Sequence, residues 1–152
     1  MATTHEAYVN GVLGLADGDI DWSSAANVAA VLLTVDYAPD LSTHSTYADL
    51  TNEVTDDDYS PVAVSNRTVN LRDGALPVDY RADDVDFGTD VSISAAYMAF
   101  VQGDPAALDA GDRLISLHTL NDDGGAQTVS STNSEFRINE PTSGWFGLNT
   151  TS

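Results

Sequence analysis

Residues 28–37 form a nearly continuous apolar run, VAAVLLTVDY, which constrains the fold more than any other part of the chain. The run is rich in β-branched residues and is far shorter than a membrane span. An apolar run without alternation is typical of a strand that is covered on both faces. The sequence therefore predicts a buried strand over Val28–Tyr37, with other parts of the chain lying on each side of it.

Several later segments alternate between apolar and polar residues, as half-buried strands do. They occupy residues 60–72, 84–103, 113–120 and 134–141. Segments rich in Asp, Gly and Pro separate them as turns, at 56–61, 72–77, 102–112 and 121–125. We expect a bulge or turn at Asn66. About six to eight short strands at this spacing predict a mainly β fold, an antiparallel β-sandwich or partly closed barrel, in a single domain over residues 1–152.

One short amphipathic helix is expected near the start of the chain, over the segment THEAYVNGVLGLADGD. Its apolar residues recur at nearly helical spacing, and Thr3 or Thr4 is a suitable N-cap. Gly18 suits a left-handed C-terminal cap. Gly11 and Gly14 lower the helical propensity of this segment.

The charge of the chain is as unusual as its hydrophobic pattern. There are 24 Asp and Glu residues against 5 basic ones, the basic ones are all Arg, and the formal net charge is −19. Such like charges repel one another in dilute buffer, whereas in molar salt the Debye length falls to about 3 Å. A lysine-free, Asp-rich composition is typical of proteins from halophilic archaea and their viruses. We therefore expect a protein adapted to concentrated salt.

The composition also argues against several classes of protein. Nucleic-acid binding through phosphates needs clustered Lys and Arg, but the five Arg are scattered. The absence of Cys excludes disulfides, thiolate metal sites and Cys nucleophiles. We expect no membrane contact, because no apolar run is long enough, and no export, because the first residues lack a basic region.

The histidines are the first candidates for chemistry. We expect His5 to lie in a mobile start of the chain and His118 on one face of a strand, and no pair of histidines has metal-ligand spacing. Nucleophile-elbow, P-loop and dinucleotide-binding motifs are absent from the sequence. With 24 carboxylates, choosing one pair for glycosidase chemistry would be arbitrary. The sequence therefore predicts no catalytic residue and no cofactor.

The acidic turn DGDID, residues 17–21, is a weak candidate for a metal site. Asp17, Asp19 and Asp21 match the alternate ligands that begin a calcium loop, and Ca²⁺ or Mg²⁺ prefers clustered oxygen ligands. The later glycine and glutamate of an EF-hand loop are missing, and Trp22 and Ser23 follow instead. We favour a solvated acidic turn over a structural Ca²⁺ or Mg²⁺ site.

The segment VDYAPDLSTHSTYADL, residues 35–50, concentrates hydroxyl, carboxylate and imidazole groups. We interpret it as the end of the buried strand at Pro39, followed by a short helix with Ser42 or Thr43 as its N-cap. His44 would lie in the first turn of this helix. A proton-transfer role for His44 would need a partner that the sequence does not identify.

The segment SGWFGL near the C-terminus carries Trp145, Phe146 and Leu148. We favour a final strand that closes the core, because such residues are usually buried. The alternative is an apolar interface with a partner, since aromatic residues are enriched in interface cores.

Arg67, Arg72 and Arg81 lie close together in the sequence, among many Asp residues. We expect them to pair with carboxylates of the same chain or of a neighbouring subunit. Exposed pairs of this kind contribute little to stability.

The order of these features resembles a family of small virion structural proteins of tailed phages. The segments that carry the resemblance are YVNGVLGLADGDIDW, NVAAVLLTVDYAPDLSTHSTYADLTNEV, ADDVDFGTDVSISAAYMAFVQGD and GWFGL. Together they extend over nearly the whole chain, and their order is more specific than any one of them. The chain has DDDYSP where the family prefers glycines, and GWFGL in place of GIFxL.

The resemblance implies a non-enzymatic structural protein of a haloarchaeal tailed virus, made in the host cytoplasm and located in the virion. The expected position is on the outer head surface, as a capsid decoration, cementing or turret subunit. Its expected partners are the major capsid protein or neighbouring virion subunits, and further copies of itself in a symmetric oligomer. The alternatives are a tail, baseplate or fibre-associated virion protein, and an extracellular carbohydrate- or cation-binding β-sandwich.

Overall fold

A computed structural model describes the backbone of residues 3–25, 27–72 and 75–148, and the side chains of these residues except 71–77 and 148. In this part of the chain there are one α-helix, α1 (Val9–Asp17), and one 3-10 turn (Tyr47–Asp49). The strands are β1 (Thr4–Ala7), β2 (Ala29–Leu33), β3 (Val62–Ala63), β4 (Thr68–Arg72), β5 (Ala75–Arg81), β6 (Val85–Asp86), β7 (Ser94–Ala95), β8 (Tyr97–Gln102), β9 (Arg113–Thr119), β10 (Val129–Ser130), β11 (Arg137–Ile138) and β12 (Phe146–Leu148).

A five-stranded antiparallel sheet in the order β1-β9-β8-β2-β3 forms the centre of the molecule. Every residue of β2 is buried, which confirms the predicted strand that is covered on both faces. The strand is shorter than expected, because Leu33 pairs with Tyr97, the first residue of β8, and the ladder ends there. The chain then turns, so that Val35 is exposed while Tyr37 is buried.

Alternate residues of β2 contribute to two separate hydrophobic cores. Ala30 and Leu32 pack into the larger core, which lies between the central sheet and the remaining strands. Those strands form a three-stranded sheet, β12-β5-β4, and the pairs β11-β6 and β10-β7. Val31 and Leu33 pack into the second core together with Tyr37, from the irregular segment that follows β2. The mainly β, antiparallel prediction is confirmed, and the described sheets are layered as in a sandwich and do not close into a barrel.

A bulge in β9 determines which of the two cores Leu114 and Ile115 enter. Phe100 pairs with Ser116 and Val101 pairs with Leu114, so Ile115 has no partner in the ladder. Leu114 consequently lies in the second core and Ile115 in the larger one. A bulge adds one residue to one strand in this way and locally bends it.

The helix begins later than predicted. Thr3 and Thr4 do not cap it, because Thr4–Ala7 forms β1, which pairs with β9 through its backbone. Helix α1 begins after Tyr8 and ends at Gly18, whose φ of 89° confirms the predicted left-handed cap. This nine-residue helix is too short to cross a membrane, and no other described helix is long enough.

The two glycines that weaken the helix in isolation provide its contact with the sheet. Gly11 and Gly14 are buried in α1, whereas Val9 and Leu13 are 57% and 55% exposed. A Cβ atom on Gly11 would lie 2.4 Å from the backbone oxygen of Ile115, which is closer than atoms can approach. Helix α1 therefore packs on β9 by its backbone, while Val9 and Leu13 face outward.

Other boundaries also differ from the predictions. The expected helix after Pro39 is reduced to the Tyr47–Asp49 turn, because Thr46 and Asp49 form the capping box there. Ser42 and Thr43 instead donate their backbone N–H groups to the carboxylate of Asp40.

Strands β1, β5 and β10 were not expected. The predicted turn at 72–77 includes the start of β5, which pairs with β4, while residues 73–74 lie outside the described part of the chain. The turn at Asn66 is confirmed by its φ of 53°.

We predict that Gly11→Ala destabilises the protein by about 1–3 kcal/mol, the usual cost of overpacking a close contact. Helix propensity alone predicts the opposite, a gain of about 1 kcal/mol. Urea unfolding in molar salt, followed by Trp fluorescence, measures the difference. Gly111→Ala is the control, because a Cβ atom there meets nothing within 4 Å. A stabilised Gly11→Ala variant would show that the helix is not held against β9 by this contact.

Candidate functional site

The acidic turn at 17–21 does not bring its three carboxylates together. Asp17 accepts the backbone N–H of Asp19 at 3.1 Å, and Asp21 accepts that of Ser24 at 3.0 Å. The carboxylate of Asp19 binds the guanidinium of Arg113 at 2.8 Å. Each carboxylate therefore stabilises a different local contact.

No group of three or more His, Asp or Glu side chains within the described residues is arranged to hold a metal ion. The predicted metal candidates Asp17, Asp19 and Asp21 are thus not a common ligand set in this structure. They line or flank an open surface cleft of about 410 Å³ that Gln102 and Asp104 also line. The arrangement fits the favoured interpretation of a solvated acidic turn.

His5 and His118 form a pair that the sequence did not predict. Strand β1 aligns His5 with His118 of β9, so His5 lies in a paired strand and not in a mobile start. Their Nδ1 atoms are 2.8 Å apart, and Nε2 of His118 is 2.9 Å from Oγ of Ser116. Because a neutral imidazole has one donor and one acceptor nitrogen, both bonds can be satisfied while both rings are neutral.

The surroundings of His118 disfavour its protonated form. The side chain is fully buried, and the rings of Phe100 and Trp145 lie 4.5 and 5.4 Å from it, centroid to centroid. Burial lowers the pKa of His118 well below the usual value, and His5 lowers it further. Burial also lowers the pKa of His5. The pair is thus a neutral, structural contact between the edge strand β1 and the core.

The predicted C-terminal strand is present, and its aromatic residues are part of the core. Trp145 is completely buried and Phe146 is 5% exposed, with the ring of Phe146 stacked on Tyr80 at 4.5 Å. Buried side chains present no surface to a partner, so the interface alternative for Trp145 and Phe146 is wrong. Leu148 pairs with Val78 through its backbone, and its side chain lies outside the described part of the structure.

His44 has a hydrogen-bond partner that the sequence could not identify. The hydroxyl of Tyr37 lies 2.8 Å from Nδ1 of His44 and 2.9 Å from the hydroxyl of Tyr8. Burial raises the pKa of Tyr8 and of Tyr37, so both hydroxyls keep their protons at neutral pH. This chain joins helix α1 to the segment that covers the second core.

A second, partly buried network is centred on Glu53. Its two carboxylate oxygens accept hydrogen bonds from Tyr47 at 2.5 Å and from Tyr59 at 2.8 Å. Burial and the neighbouring carboxylate raise the pKa of Tyr47 to about 12. The hydroxyl of Tyr59 also accepts the backbone N–H of Leu32 in β2. Glu53 therefore fixes the covering segment to the central strand.

Several exposed carboxylates hold loops by accepting backbone N–H groups. Asp56 and Asp58 accept those of Ser94 and Ser92, at 2.9 and 2.8 Å. Asp40 accepts from Ser42 and Thr43, and these bonds lower the pKa of Asp40 to about 2. The acids that make the chain so negative thus also stabilise its turns.

Arg81 pairs with a carboxylate of the same chain, as one of the sequence alternatives proposed: it binds Glu140 at 3.4 Å. Arg67 instead donates to the backbone oxygen of Ala25 at 2.6 Å. The side chain of Arg72 lies outside the described residues.

A cleft with a volume of about 470 Å³ lies beside His5. Leu120, Phe136 and Ile138 line it, and Glu135 and Arg137 at its edge pair with each other at 3.1 Å. Among the described residues, the histidine, tyrosine and glutamate groups described above are thus bonded mainly to one another.

Comparisons with known protein families, with characterised proteins and with solved structures gave no match.

We predict that acid destabilises the protein through the histidine pair. His118 binds a proton near pH 6.5 in the unfolded chain but not in the folded chain, because folding lowers its pKa. The free energy of unfolding should therefore fall below about pH 6.5, by up to about 1.4 kcal/mol per pH unit for each such histidine.

Unfolding measured between pH 7.5 and 5.5 should show a weaker pH dependence in His118→Gln than in the parent protein. Thr4→Ala is the control, because it removes a neighbouring contact of β1, the bond to Asp122, without removing a histidine. An equal pH dependence in the parent and in His118→Gln would contradict the account.

Proposed function

We propose that the chain is a non-enzymatic structural subunit of the particle of a haloarchaeal tailed virus. The observation that carries the non-enzymatic part is the internal pairing of its chemical groups: His5 with His118, Tyr37 with His44, and Glu53 with two tyrosines. The ordered resemblance to small tailed-phage virion proteins supports the location in the particle. The proposed position is the outer head surface, as a decoration, cementing or turret subunit.

The distribution of charge supports a role in concentrated salt. The chain has no Lys, and most of the Asp and Glu side chains that the structure describes are exposed. At physiological ionic strength the Debye length is about 8 Å, so neighbouring acids repel; in molar salt this repulsion is largely screened. A subunit of a particle that is assembled in and released into brine is always in salt that screens the repulsion between its acids.

The outer side of helix α1 is the proposed attachment surface on the virion. Val9 and Leu13 are one helical turn apart and more than half exposed, while the glycine side of the helix is fixed to β9. The proposed partner is the major capsid protein or a neighbouring virion subunit. A small apolar contact of this kind is sufficient when many identical subunits bind one lattice.

Mass spectrometry of virions separated into heads and tails tests the proposed position. We expect the chain in the head fraction, and detection in tails alone would contradict it. In virus carrying Val9→Ser and Leu13→Ser together, the number of copies per head should fall several-fold. Ala16→Ser is the matched control, because Ala16 is an exposed residue of the same helix. Equal copy numbers in both variants would reject helix α1 as the attachment surface.

We predict that the free energy of unfolding rises steeply between about 0.1 and 3 M salt, because salt screens the repulsion between acids. Replacing Asp36, Asp57 and Asp90 by Asn changes the formal charge from −19 to −16 and should lower the salt concentration needed for half-maximal stability. Chemical unfolding at a series of KCl concentrations measures this.

The control for the charge effect replaces Thr55, Thr89 and Thr128 by Asn, which leaves the charge unchanged at three other exposed positions. Its salt dependence should equal that of the parent protein. An equal shift in both triple variants would contradict the explanation by charge.

A further inference from the structure

Strand β4 leaves one edge of the molecule unpaired. It lies at the end of the sheet β12-β5-β4, and within the described residues it pairs only with β5. At its first residue, the backbone oxygen of Thr68 also accepts the indole N–H of Trp22 at 3.1 Å. Thr68, Val69 and Asn70 are all exposed, although successive residues of a strand point to opposite faces. Both faces of this part of the strand are therefore free, and Val69 exposes 44% of its surface.

This edge has few of the features that usually protect an edge strand, because its one charged residue, Arg72, and the irregularity in its ladder with β5 both lie at its end. Natural proteins protect such edges with charged residues, Pro, bulges or short strands. The 14 residues from Tyr59 to Arg72 contain no Asp or Glu, although most of the described side chains in this range are exposed. The equally long acid-free run from Trp22 to Val35 is different, because it contains the buried strand β2.

We propose that β4 is the contact between two copies of this chain, which pair antiparallel along this edge and join their three-stranded sheets into one of six strands. A two-fold axis at Asn70 would place Val69 of each copy opposite Leu71 of the other. It would also place Thr68 opposite Arg72. The strand TVNLR is thus complementary to itself, as the symmetric interface of a dimer must be.

The charge of the molecule favours a second copy on this edge over contacts elsewhere. Two chains of charge −19 repel wherever their acidic surfaces meet, and this repulsion is smallest where neither surface carries an acid. Along β4 neither copy presents a carboxylate, and each contributes Arg72 at one end of the strand. The contact gains backbone hydrogen bonds along the strand on each side of the axis.

This inference names the contact between like subunits, and the role of that contact in a particle rests on the proposed function. Its test needs only purified protein in molar salt. A monomer in solution would overturn the β4 contact and leave the virion assignment standing. Absence of the chain from virions would overturn the virion assignment and leave the β4 contact standing.

The absence of cysteine allows a direct test by cross-linking. In an antiparallel pair, residues on the two-fold axis face each other with Cα atoms about 4.5–5.5 Å apart, within the range that a disulfide spans. Asn70→Cys, oxidised in 3 M KCl, should therefore form a covalent dimer. Thr128→Cys is the control, because Thr128 is exposed on a distant loop. No more dimer from Asn70→Cys than from Thr128→Cys would overturn the proposal.

A second pair of variants tests the contact without a covalent link. Val69→Asp places an acid on the edge and should convert the dimer to a monomer, as measured by light scattering after size exclusion in 3 M KCl. Val35→Asp is the matched control, because Val35 has a similar exposure of 46% on another surface and receives the same charge. The control should remain dimeric. A parent protein that is monomeric at every concentration, or equal dissociation of both variants, would overturn the proposal.

Discussion

Burial of the central sheet on both faces is the constraint on which the rest of the structure depends. The five residues of β2 are completely buried, and alternate residues belong to two different cores. A sheet of this kind needs two covering layers, whereas an ordinary antiparallel sheet can leave one face in water. The β12-β5-β4 layer covers one face, and the irregular segment after β2 covers the other. Partly buried hydrogen bonds fix that segment in place: Glu53 accepts from two tyrosines, and Tyr37 binds His44.

The division between apolar interior and acidic surface gives the carboxylates two tasks. Under the proposed function, exposed acids keep the protein hydrated in concentrated salt, and some of them also hold turns by accepting backbone N–H groups, as Asp40 and Asp58 do. Beside β1, the interior contains a neutral polar pair. His118 and His5 satisfy each other without charge, since an ion at this depth would lack a counter-charge. Acid-free surfaces then mark the places where another chain can approach, and β4 is such a surface.

The sequence allowed the fold class, the buried strand and the left-handed cap at Gly18 to be predicted, because each depends on local pattern. It did not reveal β1, because Thr4–Ala7 is a strand only through its pairing with β9. The pairing of His5 with His118, and of Tyr37 with His44, joins residues that are distant in sequence or that meet only after a turn. Gly11 was interpreted from helix propensity, whereas its role depends on the backbone of Ile115. Long-range contacts of this kind require coordinates.

Hydrogen exchange in molar salt tests the two-sided burial of the central sheet most directly. Amides of β2, β8 and β9 should exchange only through global unfolding, because both faces of these strands are covered and their hydrogen bonds are internal. Amides of the short strands β10 and β11 should exchange much faster, through local opening. Protection of β2 that is no greater than that of β10 and β11 would contradict a sheet buried between two cores.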